Sequence, residues 1–221
     1  MMENTRDFDL LTLGQVLLRL SPPNNERLVR GDTFIKQVGG AELNVAVGVS
    51  LLGLHTGVIS KLPSHDIGTF MKGKIRSYGI SDDYFIYDKS PNARVGIYYY
   101  ESGAYPRKPK VIYDRIGSSF YSLDISEIPE DVYTATRCFH TSGITLALSP
   151  KIRETTIEMI KRFKATGTIV SFDVNFRGNL WSGEEAKACI EQILPYVDIF
   201  FCSEDTARLT FKKTGTAKEM M

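Results

Sequence analysis

Short, continuously apolar runs alternate with longer segments of helical period along most of this chain, and that rhythm narrows the fold more than any other feature of the sequence. Strands that are apolar on both faces need cover on both sides. Alternation with helices supplies it, which is the pattern of a mainly parallel sheet wrapped by helices. The spacing predicts a strand over 8–13 ending at Gly14. It then predicts a helix over 41–54, where Leu43, Ala46, Val47, Leu51 and Leu54 make one apolar face and Gly53 lies in the last turn. Further on it predicts strands over 56–62, 137–141, 168–173 and 198–202, and helices over 67–78, 150–163 and 183–194. Gly79 closes the helix over 67–78, and Gly167 fits the stop of the helix over 150–163.

Two stretches break the rhythm. Residues 15–37 and 93–115 hold strand-like, aromatic or β-branched runs with no helix between them, so they are expected to form a small antiparallel β layer on the α/β core. Between Arg94 and Glu101 alternation puts Tyr98 and Tyr100 on one face and Tyr99 on the other. One face can cover a ligand and the other a partner. A surface sheet with half-buried tyrosines explains the same pattern.

Composition narrows the function classes. The 221 residues are 43% hydrophobic and 24% charged, with 27 basic against 26 acidic side chains, an ordinary globular balance with a net charge of +1. A near-neutral chain lacks the concentrated basic field that gathers phosphates, so neither a nucleic acid nor a membrane surface is an expected partner. Cys138, Cys189 and Cys202 are odd in number and without CxxC spacing, and are expected to be buried free thiols in a reducing cytoplasm. His55, His65 and His140 are scattered, so no metal cluster of protein ligands is expected. Residues 1–9 carry acidic groups and no apolar signal core, and no apolar run approaches the roughly 20 residues of a membrane span.

Two clusters can carry chemistry. Gly39-Gly40-Ala41-Glu42-Leu43-Asn44-Val45-Ala46 opens a helix with two glycines, a turn that lets a ligand approach the backbone and meets it with unpaired N–H groups. Asn44 can hydrogen-bond sugar hydroxyls there, or it can satisfy nearby backbone. In Ser171-Phe172-Asp173-Val174-Asn175-Phe176-Arg177 an apolar strand ends in polar side chains, at the strand end where open α/β sheets collect ligands. Arg177 can meet an anion there. Equally, Asp173 and Asn175 can make loop hydrogen bonds and Arg177 can be a surface charge. Tyr113 and Arg115 hold the same kind of position after the second β stretch. There is no Walker P-loop and no GxGxxG after the first strand.

Together these residues resemble the pfkB/ribokinase family of small-molecule kinases. Gly39, Gly40, Ala41, Asn44 and Ala46 are similar to its N-terminal signature, Asp66-Ile67-Gly68 to its next glycine landmark, and His140-Thr141-Ser142-Gly143-Ile144 to its strand-end segment. Asp173-Val174-Asn175-Phe176-Arg177 with Trp181 resembles the D-x-N-x-R…LW stretch of the branch that phosphorylates 2-keto-3-deoxygluconate. The resemblance implies a ribokinase-like three-layer α/β core (residues 1–14, 38–92 and 116–221) with a mainly parallel sheet, and a β lid (15–37 and 93–115) through which a homodimer can form. It implies that Gly39, Gly40 and Asn44 hold sugar hydroxyls, that Tyr98 and Tyr113 line the lid side, and that Arg115 and Arg177 approach an acidic sugar. Asp173, Asn175 and Ser203 are implied to lie toward nucleotide phosphate.

The implied reaction is attack of a sugar hydroxyl on the γ-phosphate of ATP, with Mg2+ neutralising charge. The proton acceptor of that reaction belongs to a G-A-G-D segment that does not occur between Met1 and Met221, so no catalytic residue is expected in this stretch and the 221 residues are expected to be inactive alone. Where the family often has N-x-x-E, the chain reads Ser203-Glu204-Asp205-Thr206, and residues 216–221 read as the opening of an interrupted helix. A fructokinase- or ribokinase-like kinase for a neutral sugar, and a non-catalytic sugar-binding or interaction module, are the alternatives.

Overall fold

A computed structural model describes residues 6–220; residues 1–5 and Met221, at the outer ends of the expected core segments, lie outside the described residues. The chain runs β1 (Phe8–Leu13), β2 (Leu17–Ser21), β3 (Ile35–Gly39), α1 (Ala41–Leu51), β4 (Thr56–Pro63), α2 (Asp66–Arg76), β5 (Ile80–Ser81), β6 (Phe85–Asp88), β7 (Gly96–Glu101) and β8 (Lys110–Asp114). It continues through α3 (Val132–Ala135), β9 (Thr136–Ser142), α4 (Gly143–Ala147), α5 (Pro150–Ala165), β10 (Ile169–Asp173), α6 (Gly183–Ile193), β11 (Ile199–Phe201), α7 (Glu204–Phe211) and α8 (Ala217–Met220).

The larger sheet has the order β11-β10-β9-β1-β4-β5, with β6 beside the second half of β4, and its registered pairs are parallel. Helices cover both faces. On one side Phe139, Phe163, Met159, Ile160, Phe172 and Ile190 form a core with Phe163 stacked on Phe139 at 4.1 Å between ring centroids. On the other, Leu43 and Ala46 of α1 and Met71 and Ile75 of α2 close over Val58 and Leu62. Gly68 in the first turn of α2 is required by this packing, because a Cβ there would lie 1.9 Å from the Pro63 carbonyl oxygen. Local chemistry fixes the helix starts. Ser149 Oγ accepts the Ile152 N–H with Pro150 at the first helical position, and Ser182 and Glu185 form a reciprocal capping box at α6.

The second sheet has the order β3-β2-β7-β8 and is mixed, which corrects the antiparallel layer expected from the sequence. β2–β3 and β7–β8 are antiparallel, but β2–β7 is parallel. The cause is topological. β2 follows β1 and β7 follows β6, and both preceding strands run the same way in the parallel sheet, so both successors leave its carboxyl edge in one direction. On the Tyr99 face, Leu18, Val38 and Ile97 pack against the α1–α2 core, and Tyr99 meets Phe34 edge-on at 5.9 Å.

Three further expectations are corrected. The helix expected over 41–54 ends at Leu51, and Gly53 sits beyond it at φ 86°, so Leu51 and Leu54 point outward instead of joining the face made by Leu43 and Ala46. The thiols are all free, yet only Cys189 is buried; Cys138 and Cys202 are partly exposed. Finally, α7 stands where no helix was expected, started by Ser203, whose Oγ accepts the Thr206 N–H.

Candidate functional site

The carboxyl ends of β1 and β9 open under the small sheet, and a cavity of about 380 Å³ lies between them. Its roof follows from strand register. Arg19 pairs with Tyr98 and Tyr98 with Tyr113, so these three side chains cross one face of the sheet in a row. Tyr100 and Val111 lie two residues further along on the same face, and Leu17 with Arg115 lie on the other side of that row. The floor is Gln15, Gly40, Ala41, Glu42, Asn44 and Ile144, with Arg177 at the rim.

Glycines make the junction possible. A Cβ on Gly39 would come within 2.4 Å of Tyr98 Oη, one on Gly40 within 2.8 Å of the Gln15 carbonyl oxygen, and one on Gly14 within 2.2 Å of Glu42 Oε2. The turn into α1 therefore packs directly under the roof.

Two polar side chains in this cavity are buried without full satisfaction. Gln15 donates from Nε2 to Ser118 Oγ at 2.6 Å while its Oε1 has no partner. Arg115 is 8% exposed, its Nε is unpartnered, and it enters no ion pair among the described residues. Its guanidinium carbon lies 5.5 Å from the centre of the Tyr113 ring. Arg19 donates from Nε to Ser21 Oγ at 2.9 Å and lies over the Tyr100 ring. Against these two cations and Arg177 stands a single lining carboxyl, Glu42. Burial pushes that carboxyl above its ordinary value, although Ser142 and Thr145 donate to Oε1 at 2.5 and 2.8 Å and the Arg115 field acts in the opposite sense. Burial likewise raises the Tyr98 phenol.

Of the residues singled out from the sequence, Gly40, Asn44, Tyr98, Tyr113, Arg115 and Arg177 line this one cavity, and Gly39 shapes it from behind Tyr98. Asp173, Asn175 and Ser203 do not line it. Asp173 Oδ1 accepts the Asn175 N–H at 3.0 Å, and burial holds its carboxyl above the ordinary value with Arg177 opposing. Ser203 caps α7 and also donates to Thr206 Oγ1 at 2.9 Å. Sequence reasoning missed Gln15, Arg19, Glu42, Tyr100 and Ile144 as lining residues. Only Tyr100 carried a signal, its shared face with Tyr98.

The first turn of α7, beside Ser203, carries Glu204 and Asp205, which repel phosphate. No group of three or more His, Cys, Asp or Glu among the described residues is placed to hold a metal ion. No helix of the described residues is long and apolar enough to cross a membrane.

Comparison with known proteins places this architecture. The chain is 37% identical over 209 residues to a 2-dehydro-3-deoxygalactonokinase of Haloferax volcanii, covering 95% of this chain and 65% of the relative. A solved 2-dehydro-3-deoxygluconokinase from Thermotoga maritima superimposes with a TM-score of 0.88 at 32% identity, covering 93% of this chain and 62% of that one. An uncharacterized sugar kinase from Pyrococcus horikoshii, solved in complex with ATP, gives a TM-score of 0.80 at 25% identity, over 92% of this chain and 66% of that one. The chain thus spans about two thirds of the length of the proteins it matches. Residues 7–221 match the family described as pfkB family carbohydrate kinase. The chain belongs to the pfkB family of carbohydrate kinases.

Proposed function

We propose that these residues form the substrate-binding part of an ATP-dependent kinase for a hydroxyl of 2-keto-3-deoxygluconate or a related sugar acid. The observation that carries the reading is Arg115, a guanidinium 8% exposed, facing the cavity and lacking a carboxylate partner. A buried cation is costly unless something pairs with it, and a planar carboxylate matches a guanidinium bidentately. Arg177 at the rim supplies a second cation, while Gly40 and Asn44 offer backbone and amide groups to sugar hydroxyls and Gly39 lets Tyr98 close over them. Tyr98 and Tyr113, with ring centres 5.9 Å apart, give the ligand an aromatic wall. The relatives from Haloferax volcanii and Thermotoga maritima are named as a 2-dehydro-3-deoxygalactonokinase and a 2-dehydro-3-deoxygluconokinase, which supports the same assignment.

The small sheet acts in this proposal as the lid on the α/β core. Exposed Ile112, on the Tyr99 side of the sheet, suits pairing with a second copy. Free thiols suit a cytoplasmic setting. ATP, with Mg2+, supplies the phosphoryl group when bound. Asp173, Asn175 and Ser203 belong to the side of the core turned toward it, and turnover is assigned to a protein that also carries the G-A-G-D segment.

A thermal-shift screen with sugar acids, neutral sugars and ATP analogues tests the reading. Stabilisation by 2-keto-3-deoxy sugar acids over neutral hexoses and pentoses is expected. A shift with fructose or ribose alone would overturn it in favour of a neutral-sugar kinase.

A further inference from the structure

Glu42 is the single carboxyl lining the cavity, and the proposed function leaves it unused. An acid in the first turn of a helix ordinarily stands in solvent, where it gains from the helix N-terminus. Glu42 is instead 2% exposed. Its Oε1 accepts hydrogen bonds from both Ser142 and Thr145, which lie in β9 and α4, and its Oε2 is closed on one side by Gly14. No lysine or arginine forms an ion pair with it among the described residues. Arg115, on the same cavity, also lacks an acid partner. Two buried groups of opposite charge thus share one small space without being joined.

Resting on the sugar-acid reading above, we infer that Glu42 is a specificity-determining carboxyl that takes up a proton when an anionic sugar seats on Arg115. Ionised, Glu42 offsets the Arg115 charge and repels an incoming carboxylate. Neutral, it leaves the cation to the ligand and turns a hydrogen-bonding group toward the cavity. The proton comes from solvent and goes to Oε2, because Oε1 already receives two donors. A neutral sugar brings no charge and calls for no proton. Burial raises the Glu42 carboxyl above its ordinary value, the sense that this exchange requires.

The other ionisable groups nearby are accounted for. Arg115 is the charged group whose field reaches Glu42. His140 on β9 is turned to Ser171 Oγ at 2.9 Å, and Asp173 at the end of β10 accepts from Asn175 and feels Arg177.

Calorimetric titration of the 221-residue chain with 2-keto-3-deoxygluconate, in two buffers of different ionisation enthalpy, counts the protons. The wild type is expected to take up a fraction of a proton with the acid and none with a neutral sugar, and its affinity for the acid is expected to fall as pH rises. Glu42→Gln, neutral at every pH, should bind the acid without uptake and with a flat pH profile. Binding without proton uptake by the wild type, or equal uptake by E42Q, overturns the inference while leaving the functional reading intact. Failure of every sugar acid to bind the wild type overturns both. Should E42Q not fold, Thr145→Val decides. It removes a donor that favours the carboxylate, so the wild-type pH profile must move upward, and an unmoved profile counts against Glu42.

Discussion

Replacing Gly39 by alanine tests how tightly the turn into α1 sits under the small sheet. The added Cβ would lie 2.4 Å from Tyr98 Oη and 3.2 Å from Cε1 and Cζ of the same ring. Such overlap cannot persist. The ring is rigid, but its outer side faces an open cavity, so Tyr98 relieves the clash by swinging inward. The stability cost should therefore be about 1 kcal/mol, the lower end of the range for overpacking. The greater effect should fall on ligand binding, because the displaced phenol enters the space meant for substrate. Tyr98→Phe removes the atom in closest conflict and leaves only the 3.2 Å contacts. In that background Gly39→Ala should cost markedly less, with a coupling of about 0.5 kcal/mol or more in a double-mutant cycle. Urea unfolding of the four proteins reads the stability term, and calorimetry with a sugar acid reads the binding term. Equal effects of Gly39→Ala in both backgrounds would refute the close approach of Gly39 and Tyr98.

Two further outcomes concern the core. Burial lowers His140 to about 4, against about 6.5 in an unfolded chain, so the unfolded state binds the extra proton first as pH falls. The stabilisation is complete above pH 6.5 and about 3 kcal/mol is lost between there and pH 4; His140→Gln should flatten that part of the curve in chemical denaturation. Phe163, fully buried and stacked on Phe139, should cost about 3–5 kcal/mol when cut to alanine, measured by the same method. For the lid, sedimentation at micromolar concentration should show a dimer that Ile112→Glu disrupts; a wild-type monomer would remove that part of the proposal.

Much of the architecture was legible because local chemistry and tertiary packing agree. The strand ending at Asp173, the helix started by Pro150 and the two-glycine entry to α1 each carry a signal within a few residues. The cavity was legible where a motif marks it, at Gly40, Asn44, Arg115 and Arg177. Glu42 was not, since its burial is created by Ser142 and Thr145, about 100 positions later in the chain. Arg19 and Gln15 were hidden for the same reason: only the β2–β7 register and the Gln15–Ser118 contact bring them to the site. The parallel pairing of β2 with β7 depends on where two distant strands leave the larger sheet, which no local pattern reports. For α7 a signal existed, Ser203 followed by Glu204 and Asp205, but the helix is only 8 residues long and too short for periodicity to stand out.

The central claim is that Arg115 is buried and unpaired in order to receive the carboxylate of a sugar acid. Isothermal titration of wild-type and Arg115→Ala chains with 2-keto-3-deoxygluconate, and with a neutral sugar of the same size, tests it most directly. Loss of a charged hydrogen bond should weaken the acid by about 10- to 100-fold, or roughly 1.5–3 kcal/mol, and leave the neutral sugar unaffected. An Arg115→Ala chain that binds the acid as tightly as the wild type would contradict the account.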